Sequence, residues 1–299
     1  MWPFSMTQCV LLTLVLAVSG TKVHHIIPSP IIQCPMGESC LTLSMLAANI
    51  SNYLDSNTTL IFLEGNYILD SKLSVSNIGE FLSLTTTGSV PARITCNGNV
   101  NSSLQFNNIT QMQISGLEFI GCSSQVEFVD QFTLEDSSFF GENGDGSALV
   151  LTQTNTSIVR SAFAFNTVGT YRSHVRFFEY LGSFLQYRPL NIHSDSARVG
   201  GALSITSSNI VISSSHFDSN TAELGGAIFS ELGSNITISN CTFVSNSVTG
   251  CGDDRCNGGA LFIDSGCTVT AHNSTQDFLV TKSPSFNWGS CSRPNTCAM

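Results

Sequence analysis

The sequence predicts an all-β chain that folds as a single-stranded parallel β-helix with a capping helix at its N-terminal end. The first observation is a repeated phrase of alternating apolar residues, Phe-x-x-Asn and Gly-Gly-Ala, which reads SNIVISSSHFDSNTAELGGAIFS over residues 208–230. The second is the period, because Phe217 and Phe243 are 26 residues apart and Gly200 and Gly225 are 25 apart. A period of this length, built from short alternating runs, is typical of a stacked solenoid.

Equivalent residues of successive repeats should lie one above another. If each repeat forms one coil, neighbouring coils pair at ~4.8 Å. The phenylalanines then form an internal column, and the asparagines of Phe-x-x-Asn form a ladder of side-chain amides at one turn. The predicted column contains Phe119, Phe139, Phe163, Phe217 and Phe243, and the predicted ladder contains Asn166, Asn220 and Asn246. The Gly-Gly pairs suit a corner, since glycine reaches backbone angles closed to other residues. An antiparallel β-sandwich is the alternative.

These motifs resemble those of a known family. The Gly-Gly-Ala motifs at residues 200–203, 225–228 and 258–261 alternate with FAFN, FDSN and FVSN, as in the GGA(I/L/V) and FxxN repeats of the polymorphic outer-membrane protein family and of related secreted β-helix proteins of animals. The resemblance is strongest over residues 158–276 and implies a right-handed, pectin-lyase-like solenoid. It also implies an adhesive surface protein. The chain departs from the pattern at Gln276, where the last round lacks its phenylalanine.

Four parts are predicted along the chain. Residues 1–20 are a secretory signal peptide, since an apolar run is followed by Ser19 and Gly20. Residues 21–56 form a cap, because Leu43 and Leu46 begin a helically spaced apolar pattern that would cover the edge of the first coil. The β-helix occupies residues 57–280, in about seven or eight coils. A cysteine-containing tail follows at residues 281–299.

Composition and charge restrict the partners. Charged residues make up 11% of the chain and the net charge is −10, which excludes a general affinity for nucleic acid or anionic membranes. After the leader, no apolar run reaches the ~18 residues of a transmembrane helix. The sequence therefore predicts a secreted protein without a transmembrane segment.

Cysteine usage agrees with secretion. Of eleven cysteines, Cys9 lies in the leader, and the ten that remain suit an oxidising compartment. The candidate pairs are Cys34 with Cys40, Cys96 with Cys122, Cys241 with Cys267, Cys251 with Cys256, and Cys291 with Cys297. Zinc binding is the alternative for Cys251 and Cys256, although no second ligand pair follows at the spacing of a zinc site.

Eight Asn-x-Ser/Thr sequons predict N-glycosylation of a eukaryotic secretory protein. The candidate asparagines are Asn49, Asn57, Asn101, Asn108, Asn155, Asn235, Asn240 and Asn273.

An insertion at residues 167–199 interrupts the repeat. It holds four of the eleven basic residues and three of the five tyrosines. Arginine and tyrosine dominate binding hot spots, and insertions in solenoids emerge from one face. The insertion is therefore the predicted binding loop, for a glycan or protein of the cell surface or matrix, with candidates Arg172, Arg176, Tyr180, Tyr187 and Arg188. A loop that packs its apolar residues back on the coils is the alternative.

The sequence predicts no catalytic activity, cofactor or metal site. A β-helix enzyme acting on polysaccharides needs carboxylates that converge on one face, and the acidic residues provide no pair at coil spacing. Asp253 and Asp254 are interpreted as a solvated loop, and Glu142 and Asp145 as part of a tight turn. The prediction is a glycosylated structural, adhesive or recognition protein; a polysaccharide lyase or glycoside hydrolase of the same fold is the alternative.

Overall fold

The computed structural model consists of parallel strands stacked into three sheets of fifteen, seven and two strands. It describes residues 22–28, 40–88, 90–97, 103–142, 146–167, 199–248, 259–264, 266–272, 274 and 280–282. Sheet neighbours come from successive coils rather than from hairpins, as in the pairing of Ile210 with Ile236. This arrangement is the predicted right-handed parallel β-helix, and it rules out the antiparallel sandwich.

The coils contribute their strands to the sheets in a fixed order. The first sheet contains β1 (Lys22–Ile27), β2 (Cys40–Thr42), β3 (Asn57–Phe62), β5 (Leu73–Thr86), β7 (Ser103–Ser115), β9 (Ser123–Glu135), β11 (Leu149–Thr152), β12 (Asn155–Val159), β14 (Leu203–Thr206), β15 (Asn209–Ser213), β18 (Ile228–Glu231), β19 (Asn235–Ser239), β22 (Leu261–Ile263), β23 (Thr268–His272) and β24 (Val280–Lys282). The second contains β4 (Asn66–Leu69), β6 (Ala92–Cys96), β8 (Leu117–Ile120), β10 (Ser138–Phe140), β13 (Ala162–Ala164), β16 (His216–Asp218) and β20 (Thr242–Val244). The third contains β17 (Thr221–Ala222) and β21 (Ser247–Val248).

The coils turn at single residues with a left-handed backbone. In one coil, Ser207, Ser214 and Ser219 have φ values of 50°, 49° and 52° and separate β14, β15, β16 and β17. Equivalent corners of other coils use residues such as Asn108 and Asn240, with φ values of 54° and 52°. Such residues change the chain direction within one position, so successive corners stack as closely as the strands.

The Gly-Gly corner requires glycine for two different reasons. Gly200 has a φ of +63°, which residues with a side chain rarely adopt. A Cβ atom on Gly201 would lie 2.4 Å from the carbonyl oxygen of Gly226 in the next coil, and one on Gly226 would lie 2.2 Å from that of Gly259. The second glycine therefore permits the close approach of successive backbones.

The predicted phenylalanine column fills the interior. Consecutive ring centroids, from Phe119 to Phe243, are 4.6, 5.2, 5.1 and 4.7 Å apart, and the rings are close to parallel. All five side chains are at most 1% exposed. The column confirms the prediction that equivalent phenylalanines of successive repeats stack on one another.

The predicted asparagine ladder is also present. The Nδ2 atom of Asn220 donates to the carbonyl oxygen of Phe163 at 2.9 Å and to Oδ1 of Asn246 at 2.9 Å. Oδ1 of Asn220 accepts from Nδ2 and the backbone nitrogen of Asn166 at 3.0 and 3.3 Å. Because Asn166 and Asn220 are fully buried, each amide satisfies backbone groups that water does not reach.

The N-terminal cap contains two short helices, α1 (Leu43–Ala48) and α2 (Ile50–Tyr53). Thr42 caps α1 through Oγ1, which accepts from the backbone nitrogen of Met45 at 3.2 Å. Leu43 and Leu46 are buried in the solenoid core, as the helical pattern predicts.

The parallel ladder begins earlier than the predicted boundary at Asn57. Residues Lys22–Ile26 pair in parallel with Thr58–Phe62, so β1 belongs to the first sheet rather than to the cap. A single strand without a second copy of the repeat gives no periodic signal, which explains why the sequence did not reveal it. At the other end, β24 pairs with β22 and extends to Lys282.

Replacing Phe217 with alanine tests the internal column. The substitution leaves a cavity between two stacked rings and should lower the free energy of unfolding by about 3 to 5 kcal/mol. Urea denaturation of the purified protein measures the loss. Phe165→Ala is the matched control, because that ring is 59% exposed and its removal should have a small effect. Equal losses in the two variants would contradict the buried column.

Replacing Asn220 with alanine tests the buried amide ladder. The variant leaves the Phe163 carbonyl and the Asn166 amide without partners, so it should lose at least about 1 to 3 kcal/mol of unfolding free energy. Asn209→Ala is the control, since Asn209 belongs to an exposed amide ladder of the same coil. If both variants unfold at the same denaturant concentration, the buried ladder does not stabilise the stack.

Candidate functional site

One outer surface of the solenoid concentrates chemically varied side chains. It is the outward side of β14, β18, β22, β11 and the first halves of β5, β7 and β9, which pair in register. We call this surface the front face. Alternate residues point outward, as in β7, where Leu104 and Phe106 are buried and Gln105 and Asn107 are half-buried. One outward column contains Ser74, Gln105, Gln125, Val150, Ser204, Phe229 and Phe262, and the other contains Ser76, Asn107, Glu127, Thr152, Thr206, Glu231 and Asp264.

A cavity of ≈190 Å³ opens on the front face across three coils. Its polar lining comes from the two outward columns: Ser74, Ser76, Gln105, Asn107, Gln125 and Glu127. Two hydrogen bonds cross between coils there, from Nε2 of Gln105 to Oε1 of Gln125 at 2.6 Å and from Nδ2 of Asn107 to Oε2 of Glu127 at 3.3 Å. These bonds hold the lining side chains in defined positions.

A pair of carboxylates lies toward the other end of the front face. Asp264 directly follows Ile263, which pairs with Ser230, so it takes the position opposite Glu231 on the neighbouring coil. Burial raises the pKa of Glu231 to about 7, and the nearby charge of Asp264 acts in the same direction. Oγ1 of Thr206 donates to Oε1 of Glu231 at 3.1 Å, which partly opposes the shift.

This pair corrects the expectation that no two carboxylates occupy equivalent positions of neighbouring coils. The sequence obscured it because the coil between them is long: Asn235 pairs with Thr268, 33 residues further along. The spacing of 25 or 26 residues that relates the Gly-Gly pairs and the phenylalanines of the last repeats does not connect Glu231 with Asp264.

The phenylalanines beside these carboxylates form a second ring stack. Phe229 and Phe262 point outward in the other column, with centroids 5.4 Å apart and planes 5° apart. Phe229 is only 6% exposed. This end of the front face therefore combines acidic and aromatic side chains, whereas the cavity combines amides and hydroxyls.

The described sequons lie outside both outward columns of the front face, although Asn108 is adjacent to Asn107. Asn57, Asn155 and Asn235 each begin a strand of the first sheet, β3, β12 or β19. These strands stack with β15 and with the second halves of β5, β7 and β9, across a corner from the front face. We call their outward surface the side face. Asn108 and Asn240 occupy corners with positive φ, and Asn49 follows α1. Glycans on the side-face asparagines would leave the two columns uncovered, whereas a glycan on Asn108 would lie beside Asn107 and the cavity. Two further candidates, Asn101 and Asn273, lie outside the described residues.

The predicted binding loop lies almost entirely outside the described residues, including Arg172, Arg176, Tyr180, Tyr187 and Arg188. Its two ends are described. Thr167 bridges to Thr221 and Val199 bridges to Leu224, so the insertion leaves and re-enters the solenoid at the corner that precedes β14. This corner borders the front face.

The other acidic candidates have separate positions. Glu142 is 7% exposed, and its backbone nitrogen donates to Oδ1 of Asn166 at the end of the amide ladder. Asp136 forms an ion pair with Arg160 at 2.8 Å, which lowers the pKa of its carboxyl group. Glu135 pairs with the same arginine. Three further candidates, Asp145, Asp253 and Asp254, lie outside the described residues.

One predicted disulfide is formed in the structure. Cys96 and Cys122 are bonded across neighbouring coils, with Cα atoms 5.1 Å apart. Cys40 is also disulfide-bonded. The remaining candidates of the predicted outer pairs, Cys34, Cys251, Cys256, Cys291 and Cys297, lie outside the described residues.

The predicted pair of Cys241 and Cys267 is not formed, and both thiols are free and buried. The cause is again the long coil. The backbone nitrogen of Cys241 donates to Oγ of Ser274 at 3.4 Å, so Ser274 is the residue that stacks on it. Cys267 instead directly precedes Thr268, whose backbone nitrogen donates to the carbonyl oxygen of Ser234. The two cysteines thus lie at opposite ends of paired strands.

Within the described ranges, no group of three His, Cys, Asp or Glu side chains is arranged to hold a metal ion. None of the described helices has the length and apolar character needed to cross a lipid bilayer.

A family model described as "Right handed beta helix region" matches residues 92–276, more than half of the chain. Neither a curated protein nor a solved structure gives a significant match.

Replacing Glu231 with glutamine should change how stability depends on pH. A raised pKa means that folding favours the protonated carboxyl. The contribution of this group to the free energy of unfolding is therefore complete below pH 4.5 and is lost as the pH rises through about 7. The free energy of unfolding of Glu231→Gln should therefore exceed that of the wild type by about 1 to 3 kcal/mol at pH 8. At pH 4 the two proteins should have similar free energies of unfolding.

Denaturant unfolding at pH 4, 6 and 8 measures this effect. Asp136→Asn is the contrasting control, because Arg160 lowers the pKa of Asp136 and its removal should destabilise the protein at high pH rather than stabilise it. A Glu231→Gln variant that follows the wild type at every pH would contradict the buried position of the carboxyl.

Proposed function

Because this chain belongs to the right-handed β-helix family, we propose that it is a secreted, N-glycosylated recognition protein that binds its ligand on the front face and catalyses no reaction. The observation that carries the proposal is the front-face cavity. It is lined by polar side chains from three successive coils, and the described sequons lie outside both columns that line it.

A rigid solenoid suits recognition. The lining segments of β7 and β9 are held by parallel backbone pairing on both sides, and that of β5 by pairing with β7. Side chains on such elements need little ordering when a ligand binds, which reduces the entropic cost of association.

Secretion is supported by the chemistry of the chain. The disulfide between Cys96 and Cys122 suits an oxidising compartment. The predicted signal peptide and the exposed asparagines of several sequons, such as Asn155 and Asn235, fit passage through a eukaryotic secretory pathway. Glycans on the side face would keep a weakly charged surface soluble.

Adhesion is the form of recognition that the repeats favour. The FxxN and GGA(I/L) motifs resemble those of the polymorphic outer-membrane proteins, whose passenger domains are adhesive. We therefore propose a cell-surface or matrix glycan or protein as the partner. The binding role of residues 167–199 stays a prediction, and Arg176→Ala with Tyr180→Ala tests it directly.

The proposed absence of catalysis is supported by the lining of the cavity. Among the described lining residues, Glu127 has the one carboxyl group, whereas hydrolysis of a glycosidic bond generally uses two. Glu127 accepts a hydrogen bond from Asn107, which suits a fixed acceptor for a ligand.

A second candidate function is favoured by Glu231 and Asp264. Two carboxylates on neighbouring coils, one with its pKa raised to about 7, are the elements of a general acid and a base. The candidate is a glycoside hydrolase acting at that end of the front face. Release of reducing or unsaturated sugar ends from polysaccharides, lost in both Glu231→Gln and Asp264→Asn, would overturn the non-enzymatic proposal.

Added glycans provide the test of the front face. Val150→Asn creates a sequon with Thr152 in the middle of the front face, whereas Gln131→Asn creates one with Thr133 on the side face. The secreted wild-type protein and both variants are compared on glycan arrays, immobilised matrix proteins and cell surfaces, after mass spectrometry has confirmed that the new sites are occupied. We expect the glycan at position 150 to abolish binding and the glycan at position 131 to leave it intact. Equal binding by both variants would exclude the front face.

A further inference from the structure

We propose that the front-face cavity binds one or two sugar rings of a neutral, linear oligosaccharide that runs parallel to the solenoid axis. This inference rests on the proposed recognition function and gives its ligand a chemical class. The cavity of ≈190 Å³ has the scale of a sugar ring rather than of a folded partner.

The lining keeps donors and acceptors available for hydroxyl groups. Nε2 of Gln105 and Nδ2 of Asn107 donate to Gln125 and Glu127. Among the described residues, Nε2 of Gln125 and Oδ1 of Asn107 form no hydrogen bond, so one donor and one acceptor remain for a ligand. Mixed amide, hydroxyl and carboxylate groups match sugar hydroxyls, which both donate and accept.

The charge of the cavity selects against acidic chains. Among the described residues that line it, Glu127 has the one carboxylate and none is lysine, arginine or histidine. The whole chain carries a net charge of −10. A sulfated or uronic acid chain would meet repulsion without a cation to pair with, so a neutral chain is the class that fits.

The direction of the ligand follows from the repeat of the lining. Gln105 and Gln125 occupy equivalent positions of neighbouring coils, as do Asn107 and Glu127. Equivalent positions recur every ~4.8 Å along the axis, which is close to the length of one ring in an extended sugar chain. A linear oligosaccharide along the axis can therefore present similar hydroxyl groups to successive coils.

An exposed aromatic residue beside the cavity supports the same ligand. Phe128 directly follows the lining residue Glu127, is 39% exposed, and has a φ of 54°. The equivalent corners of the two preceding coils hold Asn77 and Asn108, and asparagine tolerates this conformation far better than phenylalanine does. Gln153, Ser207 and Leu232 adopt the same conformation at this corner of the following coils, so it is the exposure of the Phe128 ring beside the cavity that suits a ligand. Aromatic rings with a few fixed polar groups are the usual lining of ligand sites.

Paired substitutions on the same strands test the proposal. Gln105→Ala with Gln125→Ala removes two of the three amides that line the cavity. Gln111→Ala with Gln131→Ala removes exposed amides of the side face from the same two strands, β7 and β9. Phe128→Asn replaces the aromatic ring with a residue that suits the corner. The probes are neutral oligosaccharides built on glucose, mannose, galactose, xylose and N-acetylglucosamine, and acidic ones derived from heparin, hyaluronan and polygalacturonate.

Binding is measured by glycan array and calorimetry in the wild-type and Asn108→Gln backgrounds, because a glycan on Asn108, next to lining residue Asn107, would hide the cavity. We expect binding of at least one neutral series. The Gln105→Ala, Gln125→Ala variant should lose at least about tenfold in affinity, while the side-face variant keeps it. Phe128→Asn should weaken binding without lowering the unfolding temperature.

Three outcomes would overturn the inference: binding of acidic series alone, neutral binding that the cavity substitutions leave unchanged, or no binding of any free oligosaccharide in either background. In the last case, retained binding to cells or matrix proteins would leave the proposed recognition function standing. Loss of all binding would remove both.

Discussion

In-register stacking of coils is the constraint on which the rest of the structure depends. The described strands form backbone hydrogen bonds with the equivalent strands of neighbouring coils. Each side chain must therefore pack against the side chain of the equivalent residue ~4.8 Å away in the next coil. Gly201 and Gly226 show how strict this is, since a single Cβ atom would enter the backbone of the next coil. The phenylalanine column and the asparagine ladder meet the same requirement with rings that stack and amides that pair.

The same constraint decides what could be predicted from the sequence. Inward residues repeat because they stack on one another, so Phe217, Asn220 and the Gly-Gly corners were recognisable from spacing alone. Outward residues need only avoid clashes, and the front-face columns accordingly change from glutamine to valine to phenylalanine without a readable period. The lining of the cavity therefore became visible only when the register was known.

Variation in coil length caused the remaining errors. A count of 26 residues correctly joined Cys96 to Cys122, because the coil between them has 25 residues. The same count failed for Cys241 and Cys267, where the coil has 33 residues, and the juxtaposition of Glu231 and Asp264 was missed for the same reason. The corners also use more residue types than the predicted glycines, since Ser207, Arg160 and Phe128 adopt the left-handed conformation.

The corner before β14, where residues 167–199 are inserted, shows where the sequence can change in length without disturbing the core. Thr167 and Val199 return to the positions of an uninterrupted coil although 31 residues separate them in the sequence. Additions at this corner leave the core untouched, and loss or gain of an entire coil would shift everything beyond it by one axial step. The distance from the amide cavity to the carboxylate pair is thus a whole number of coil spacings. Relatives that gained or lost a coil between the two would differ in that span by whole steps and never by a fraction of one.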